Sequence, residues 1–236
     1  MSERRAQRVV RLLALSALAA GTALGAQRPV VVQLFTSLGC SDCPPADALL
    51  ARVSGGDHEV LALDLHVTYW NDATWVDPYS FSGVDRLQNA YAALQHESEV
   101  YTPEAVVDGR QSFIGSDARA MAAAIARAKA WIATAPVIPA SIRSDTGRLT
   151  ITIGPGRGDS AGAVWLFGFD PVRRTSVQGG ENAGATIAEV NVVSSITRLA
   201  DWRGRTLRLH VPPPAGARFA VILQESDGAI LAAAST

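Results

Sequence analysis

Only two cysteines, Cys40 and Cys43, occur in 236 residues. So small a number rules out a disulfide-scaffold fold, in which bridges replace the core, and leaves no second Cys-x-x-Cys to complete a four-thiolate metal centre. Neither sign of charge dominates: 21 Lys and Arg stand against 22 Asp and Glu, for a net charge of −1. That balance gives no argument for binding nucleic acid or an anionic membrane surface. No internal repeat or low-complexity tract interrupts the chain. No Ser/His/Asp set occurs in a supporting order, and no carboxylate pair has the spacing of an acid/base site. Gly179-Gly180-Glu181-Asn182-Ala183-Gly184 is glycine-rich but lacks the strand–helix setting of a phosphate loop, so it reads as a turn between strands.

A membrane-length apolar run is also missing. The apolar stretch Leu12–Leu24 is too short to span a bilayer. Arg4, Arg5, Arg8 and Arg11 precede it and Ala23-Leu24-Gly25-Ala26 follows, which is the layout of a secretory signal peptide over residues 1–26. No cysteine sits at that cleavage site, so a lipoprotein signal is not indicated. Without these residues the chain carries 17 basic against 21 acidic residues, a net charge of −4. The expectation is an exported protein with no further membrane span, in a compartment oxidising enough to keep a disulfide.

What the chain does have is a motif in a frame. Pro29-Val30-Val31-Val32-Gln33-Leu34-Phe35 reads as a buried strand, Cys40-Ser41-Asp42-Cys43 follows, and Pro44-Pro45-Ala46-Asp47-Ala48-Leu49-Leu50 begins a helix. Strand, Cys-x-x-Cys turn and helix is the layout of a thiol–disulfide site. Val60–Val67 is a second apolar strand, so the first two strands and their helix form a parallel βαβ unit. Their carboxyl ends then share one edge, which places the His66–Pro78 loop beside Cys40. Residues 82–99 have helical spacing of Leu87, Tyr91 and Leu94. Asp108-Gly109 lies between two β-type runs and predicts a hairpin, and Ser116 or Asp117 caps a last helix over 118–133.

This order, with Thr102-Pro103 opening the hairpin, resembles the thioredoxin fold over residues 29 to about 135. The resemblance implies a cis proline, Pro103, beside the cysteines, and a backbone edge at Thr102 that receives an extended substrate segment. Two positions depart from thioredoxin. Leu34 occupies the place of its buried acid, and Leu38-Gly39 stands where an aromatic residue precedes the first cysteine.

The chain also resembles the DUF1223 family of exported bacterial proteins. The stretches that carry this are Phe35–Asp47, His66-Val67-Thr68-Tyr69-Trp70, Trp75-Val76-Asp77-Pro78, Tyr101-Thr102-Pro103, Gly180–Gly184 and Asn191-Val192-Val193. The family likeness implies a thioredoxin-like fold and no established reaction.

Beyond Pro136-Val137-Ile138-Pro139 the helical pattern stops. Ala140–Arg143, Leu149–Gly154, Ala163–Phe169, Arg173–Val177, Ile187–Ile196, Thr206–Val211 and Arg218–Gln224 are short β-type runs between turn residues. The expected architecture is therefore an α/β thioredoxin-like domain over residues 27–136, followed by an all-β sandwich-like domain over 137–236.

Three readings of the cysteine pair stand open. In the first, Cys40 at a helix N-terminus is an attacking thiolate, Cys43 resolves the mixed disulfide, and exported protein thiols or disulfides are the partners. Asp42 works against thiolate there, because a like charge raises a thiol pKa. In the second, Cys40, Cys43 and His66 bind copper or zinc. In the third, the pair is inert within an interaction module. Tyr69, Trp70 and Trp75 either line a substrate groove or pack under their loop. Asp64 is a buried acid near the site or a capped strand carboxylate. His58, His96 and His210 read as surface residues. No organic cofactor is implied.

Overall fold

A computed structural model describes residues 27–236; the signal segment expected over 1–26 lies outside the described residues. The chain runs β1 (Val30–Thr36), α1 (Pro44–Gly56), β2 (Val60–His66), α2 (Ser82–Gln95), β3 (Glu104–Val107), β4 (Gln111–Ile114) and α3 (Ala118–Thr134). Strands β5 (Ala140–Asp145), β6 (Arg148–Ile153), β7 (Gly162–Ser176), β8 (Thr186–Trp202), β9 (Leu207–Val211), β10 (Arg218–Gln224) and β11 (Ile230–Ser235) follow. None of the described helices is long and apolar enough to cross a membrane.

Local signals explain the first half. The β-branched run of β1 is buried throughout, as a central strand buried on both faces requires. Helix α1 starts at two prolines, whose missing N–H groups cost nothing in a first turn. Asp108 and Gly109 both take positive φ, 55° and 69°, to close the β3–β4 hairpin. Of the two candidate caps for α3, Asp117 is the one used: its carboxylate accepts from the N–H groups of Arg119 and Ala120.

The two-part architecture expected from sequence is overturned. One mixed eight-stranded sheet, in the order β11-β10-β7-β8-β2-β1-β3-β4, runs through both halves of the chain. β2 lies between β1 and β8, parallel to both, so the second half extends the first half's sheet in place of forming its own. What remains separate is a three-stranded sheet, β5-β6-β9. It stacks on the outer part of the large sheet through Ile142, Leu149, Ile151, Val164, Leu166, Val221 and Leu223. Periodicity marks each strand but is silent on which strands pair, and that is where the expectation failed.

β7 also absorbs two expected strands into one. Asp170-Pro171 reads as a turn, yet the β7–β8 ladder carries Asp170 opposite Val192 and Val172 opposite Val190, with no pairing at Pro171. Across from this gap Asn191 adopts φ 52°. A proline, which has no N–H to give, is tolerated where the neighbouring strand turns aside.

Alternation along β1 and β2 divides the core. Val31, Phe35, Leu61, Leu63 and Leu65 pack with Val84 and Tyr91 of α2. Val30, Val32, Leu34 and Ala62 pack with Leu49 and Leu50 of α1 and with Met121 and Ala124 of α3. Asp64 and His66 continue the second set, opposite Leu34 and Thr36 in the β1–β2 register. Two ionisable residues thus point into an apolar face covered by α1.

Candidate functional site

The end of β1 delivers the cysteine turn. Cys40 N–H donates to the Ser37 carbonyl at 3.1 Å and Cys43 N–H to the Cys40 carbonyl at 3.2 Å. Cys43 is the N-cap of α1, and its carbonyl accepts from the N–H groups of Ala46 and Asp47. Cys40 and Cys43 form a disulfide, and both are buried. The sulfurs therefore sit where the unpaired N–H groups and dipole of a helix favour negative charge. Ser41 and Asp42 between them are exposed.

Of the residues named from sequence, Trp70 reaches this turn and Thr102 is bonded to Trp70. The Trp70 indole N–H donates to the Thr102 hydroxyl at 2.7 Å. A Cβ placed on Gly39 would lie 3.4 Å from Trp70 Cβ, so Trp70 backs the residue before Cys40. The Thr102–Pro103 bond is cis, and Pro103 is buried. Tyr69 is 45% exposed, with its hydroxyl donating to Gln88 at 3.3 Å. Burial pushes the Tyr69 hydroxyl up to about 12. Leu34 is fully buried, so β1 supplies no acid.

An acid comes from α1. Asp47 stands four residues after Cys43, on the same helix face. It is buried and accepts from the Thr36 hydroxyl at 2.8 Å. Burial raises its pKa to about 6. A carboxyl poised at that value can take up or release a proton near neutral pH.

A strap closes over the turn. The glycine-rich segment read as a plain turn packs its backbone on residues 38–41. Glu181 N–H donates to the Gly39 carbonyl at 3.0 Å, and its carboxylate accepts from Ser41 N–H and Oγ. Asn182 Nδ2 donates to the carbonyls of Leu38, at 3.0 Å, and Cys40, at 2.8 Å. Gly180 takes φ 69°, and a Cβ there would fall 2.7 Å from Gly39 Cα, so only glycine permits the approach.

Beneath the turn lies a buried ionisable cluster. His66 Nδ1 donates to Asp77 Oδ2 at 2.8 Å. The same Asp77 oxygen accepts from Leu38 N–H at 2.8 Å and Ser37 Oγ at 3.2 Å, while its other oxygen accepts from Tyr79 N–H. Burial works against an ionised Asp77, but these bonds and the charge of His66 hold its carboxyl below the usual value. His66 Nε2 lies 3.3 Å from Glu189 Oε1 and 4.0 Å from Asp64 Oδ1. Asp64, His66 and Glu189 are all fully buried. Burial drives Asp64 well above the ordinary carboxylate range and Glu189 up to about 7. Burial also opposes charge on His66, yet Asp77, Glu189 and Asp64 outweigh it and push its pKa up to about 10.

Sequence reasoning flagged His66 and Asp64 but missed Asp47, Asp77, Glu181, Asn182 and Glu189 as parts of the site. The available signal was a pair of ionisable residues at i and i+2 on an otherwise apolar strand. In the metal reading His66 was to join the two cysteines. Among the described residues, the ligand atoms that gather within 4.8 Å of one another are those of Asp64, His66 and Glu189, with no sulfur among them.

Against known proteins, the profile of a family described as a protein of unknown function, DUF1223, matches residues 31–224. The chain belongs to that family. The match spans both halves of the eight-stranded sheet, including the cysteine turn, the strap and all three residues of the buried cluster. No curated protein matches the chain. Its structure is similar to that of protein AGR_C_4864 from Agrobacterium tumefaciens, with 26% identity and a TM-score of 0.73 over 89% of this chain and 95% of that one. It is also similar to HBP35 of Porphyromonas gingivalis, with 14% identity and a TM-score of 0.61 over 89% of this chain and 75% of that one. The second likeness is one of fold alone.

Proposed function

We propose that this family member is an exported protein that exchanges disulfides with protein thiols through Cys40 and Cys43. The observation that carries the reading is the Cys40–Cys43 disulfide seated at the N-terminus of α1, with Asp47 four residues on. The signal-like residues 1–26 support the location.

In the oxidised protein a partner thiolate attacks Cys40 Sγ. The Cys40–Cys43 bond breaks, a Cys40–partner bond forms, and Cys43 leaves as a thiolate stabilised by the helix terminus. Asp47, when protonated, supplies the proton that converts it to thiol. A second partner thiolate then attacks the partner sulfur and releases Cys40. The partner loses two electrons and gains a disulfide, and the pair becomes a dithiol. Run in reverse, Cys40 thiolate attacks a partner disulfide and Cys43 resolves it. In this reading Thr102, Pro103, Trp70 and Tyr69 receive the partner segment, and the 179–184 strap lifts to admit the partner to Cys40.

Trapping tests the reading. A Cys43→Ala variant in the exported fraction should accumulate a mixed disulfide through Cys40, released by reductant. If no adduct accumulates and the variant behaves like Cys40→Ala, the proposal fails.

A further inference from the structure

We propose that Asp64, His66 and Glu189 form a binding site for a first-row divalent cation, with zinc as the first probe, and that the bound ion staples β2 to β8. This site is separate from the cysteine chemistry above and does not depend on it.

The first argument is unmet hydrogen bonding. Buried polar atoms almost always find partners, and each exception calls for a reason. Among the described residues, seven buried side-chain polar atoms lack a partner, and five of them belong to this one cluster: both Asp64 oxygens, both Glu189 oxygens and His66 Nε2. A proton on Nε2 reaches at best one of the four oxygens. A cation reaches all three side chains, whose ligand atoms already lie within 4.8 Å of one another.

The second argument is charge. Two carboxylates side by side in an apolar interior are costly unless a positive charge sits between them. A divalent ion cancels both, and loading exchanges the Nε2 proton for the metal.

The third argument is the tautomer. Asp77 accepts the Nδ1 proton of His66, so the Nε2 that faces Asp64 and Glu189 is the atom that becomes the lone-pair donor when its proton leaves. A carboxylate that holds a histidine from behind is the usual support of a metal-bound imidazole. One imidazole with carboxylate oxygens suits zinc, manganese or iron better than the soft-ligand set of copper(I).

Position gives the site a purpose. β2 and β8 are joined in register at a single pair, Asp64 opposite Val192, whereas β1 and β2 are joined at seven. Asp64 and His66 come from β2 and Glu189 from β8, so the ion would hold the joint where the two halves of the sheet meet.

The test is refolding of the chelator-stripped protein with and without zinc chloride, followed by metal analysis and thermal melting. About one equivalent of zinc should remain after dialysis, and the Tm should rise by about 10 °C. A Cys40→Ser/Cys43→Ser variant should keep the zinc. Glu189→Gln and Asp64→Asn should each bind it at least tenfold more weakly. Should those variants fail to fold, cobalt(II) in the native protein gives the answer. Visible d–d bands without a near-ultraviolet thiolate band support the site, and a thiolate band overturns it. Folded protein that takes up neither zinc, manganese nor cobalt overturns it too, as does zinc lost from the cysteine variant and kept by Glu189→Gln.

Discussion

Asn182 donates its side-chain amide to the backbone carbonyl of Cys40 at 2.8 Å, across a separation of 142 residues. The same amide holds the Leu38 carbonyl, so one side chain ties down the backbone on both sides of Gly39. Asn182→Ala removes both bonds and loosens the strap by about 1 kcal/mol. Reduction of the Cys40–Cys43 disulfide by a phosphine should then run about fivefold faster. An unchanged rate would show that the strap does not guard the disulfide.

Asp47 is predicted to move a proton for Cys43. Asp47→Asn preserves the acceptor for the Thr36 hydroxyl, so the fold should hold. Thiol–disulfide exchange with glutathione should slow by about tenfold or more, the low end of what a positioned acid or base contributes. Equal rates for the two proteins, with equal thermal stability, would remove Asp47 from the mechanism.

Glu104 makes stability depend on pH. Burial lifts its carboxyl from 4.5 to about 7, with one oxygen accepting from Gln88 at 2.7 Å and the other unpartnered. Between about pH 4.5 and 7 the folded chain retains a proton that the unfolded chain has released. Stability from this group is therefore complete below pH 4.5 and declines as pH rises to 7, by up to about 3 kcal/mol. Glu104→Gln should flatten that part of the profile. Melting curves at pH 5 and pH 8 for both proteins make the comparison, and parallel declines would contradict it.

Asn191 secures the joint between the halves. Its left-handed backbone suits asparagine better than most residues, and its amide donates to the Ala62 carbonyl of β2 at 2.9 Å and to Ser54 Oγ at 3.1 Å. Asn191→Ala loses both advantages and should cost about 2 kcal/mol in urea unfolding. Asn191→Gly loses only the hydrogen bonds and should cost less. Equal losses would mean that the backbone conformation contributes nothing.

Much of the site was readable in part. The Cys-x-x-Cys turn, the helix after it and the hairpin at Asp108-Gly109 follow from local pattern, and each forms as expected. Leu34 correctly signalled that β1 carries no acid. Asp47 was visible in the helix but was not recognised, because a charged residue in a first turn ordinarily faces solvent. Glu189 offered still less: its strand alternates like any surface strand, and only pairing with β2 buries it.

The sequence by itself determined the order of strands and helices in the first half and the placing of two cysteines at a strand–helix junction. Periodicity, proline positions and turn residues act over a few neighbours, so they can be read along the chain. The tertiary structure alone decided that β8 docks on β2 and joins both halves in one sheet. It alone set Asn182 against Cys40 and brought Glu189 to His66. Those outcomes depend on contacts between residues more than a hundred positions apart, where burial, not local preference, sets which carboxylates lose water and what must balance them.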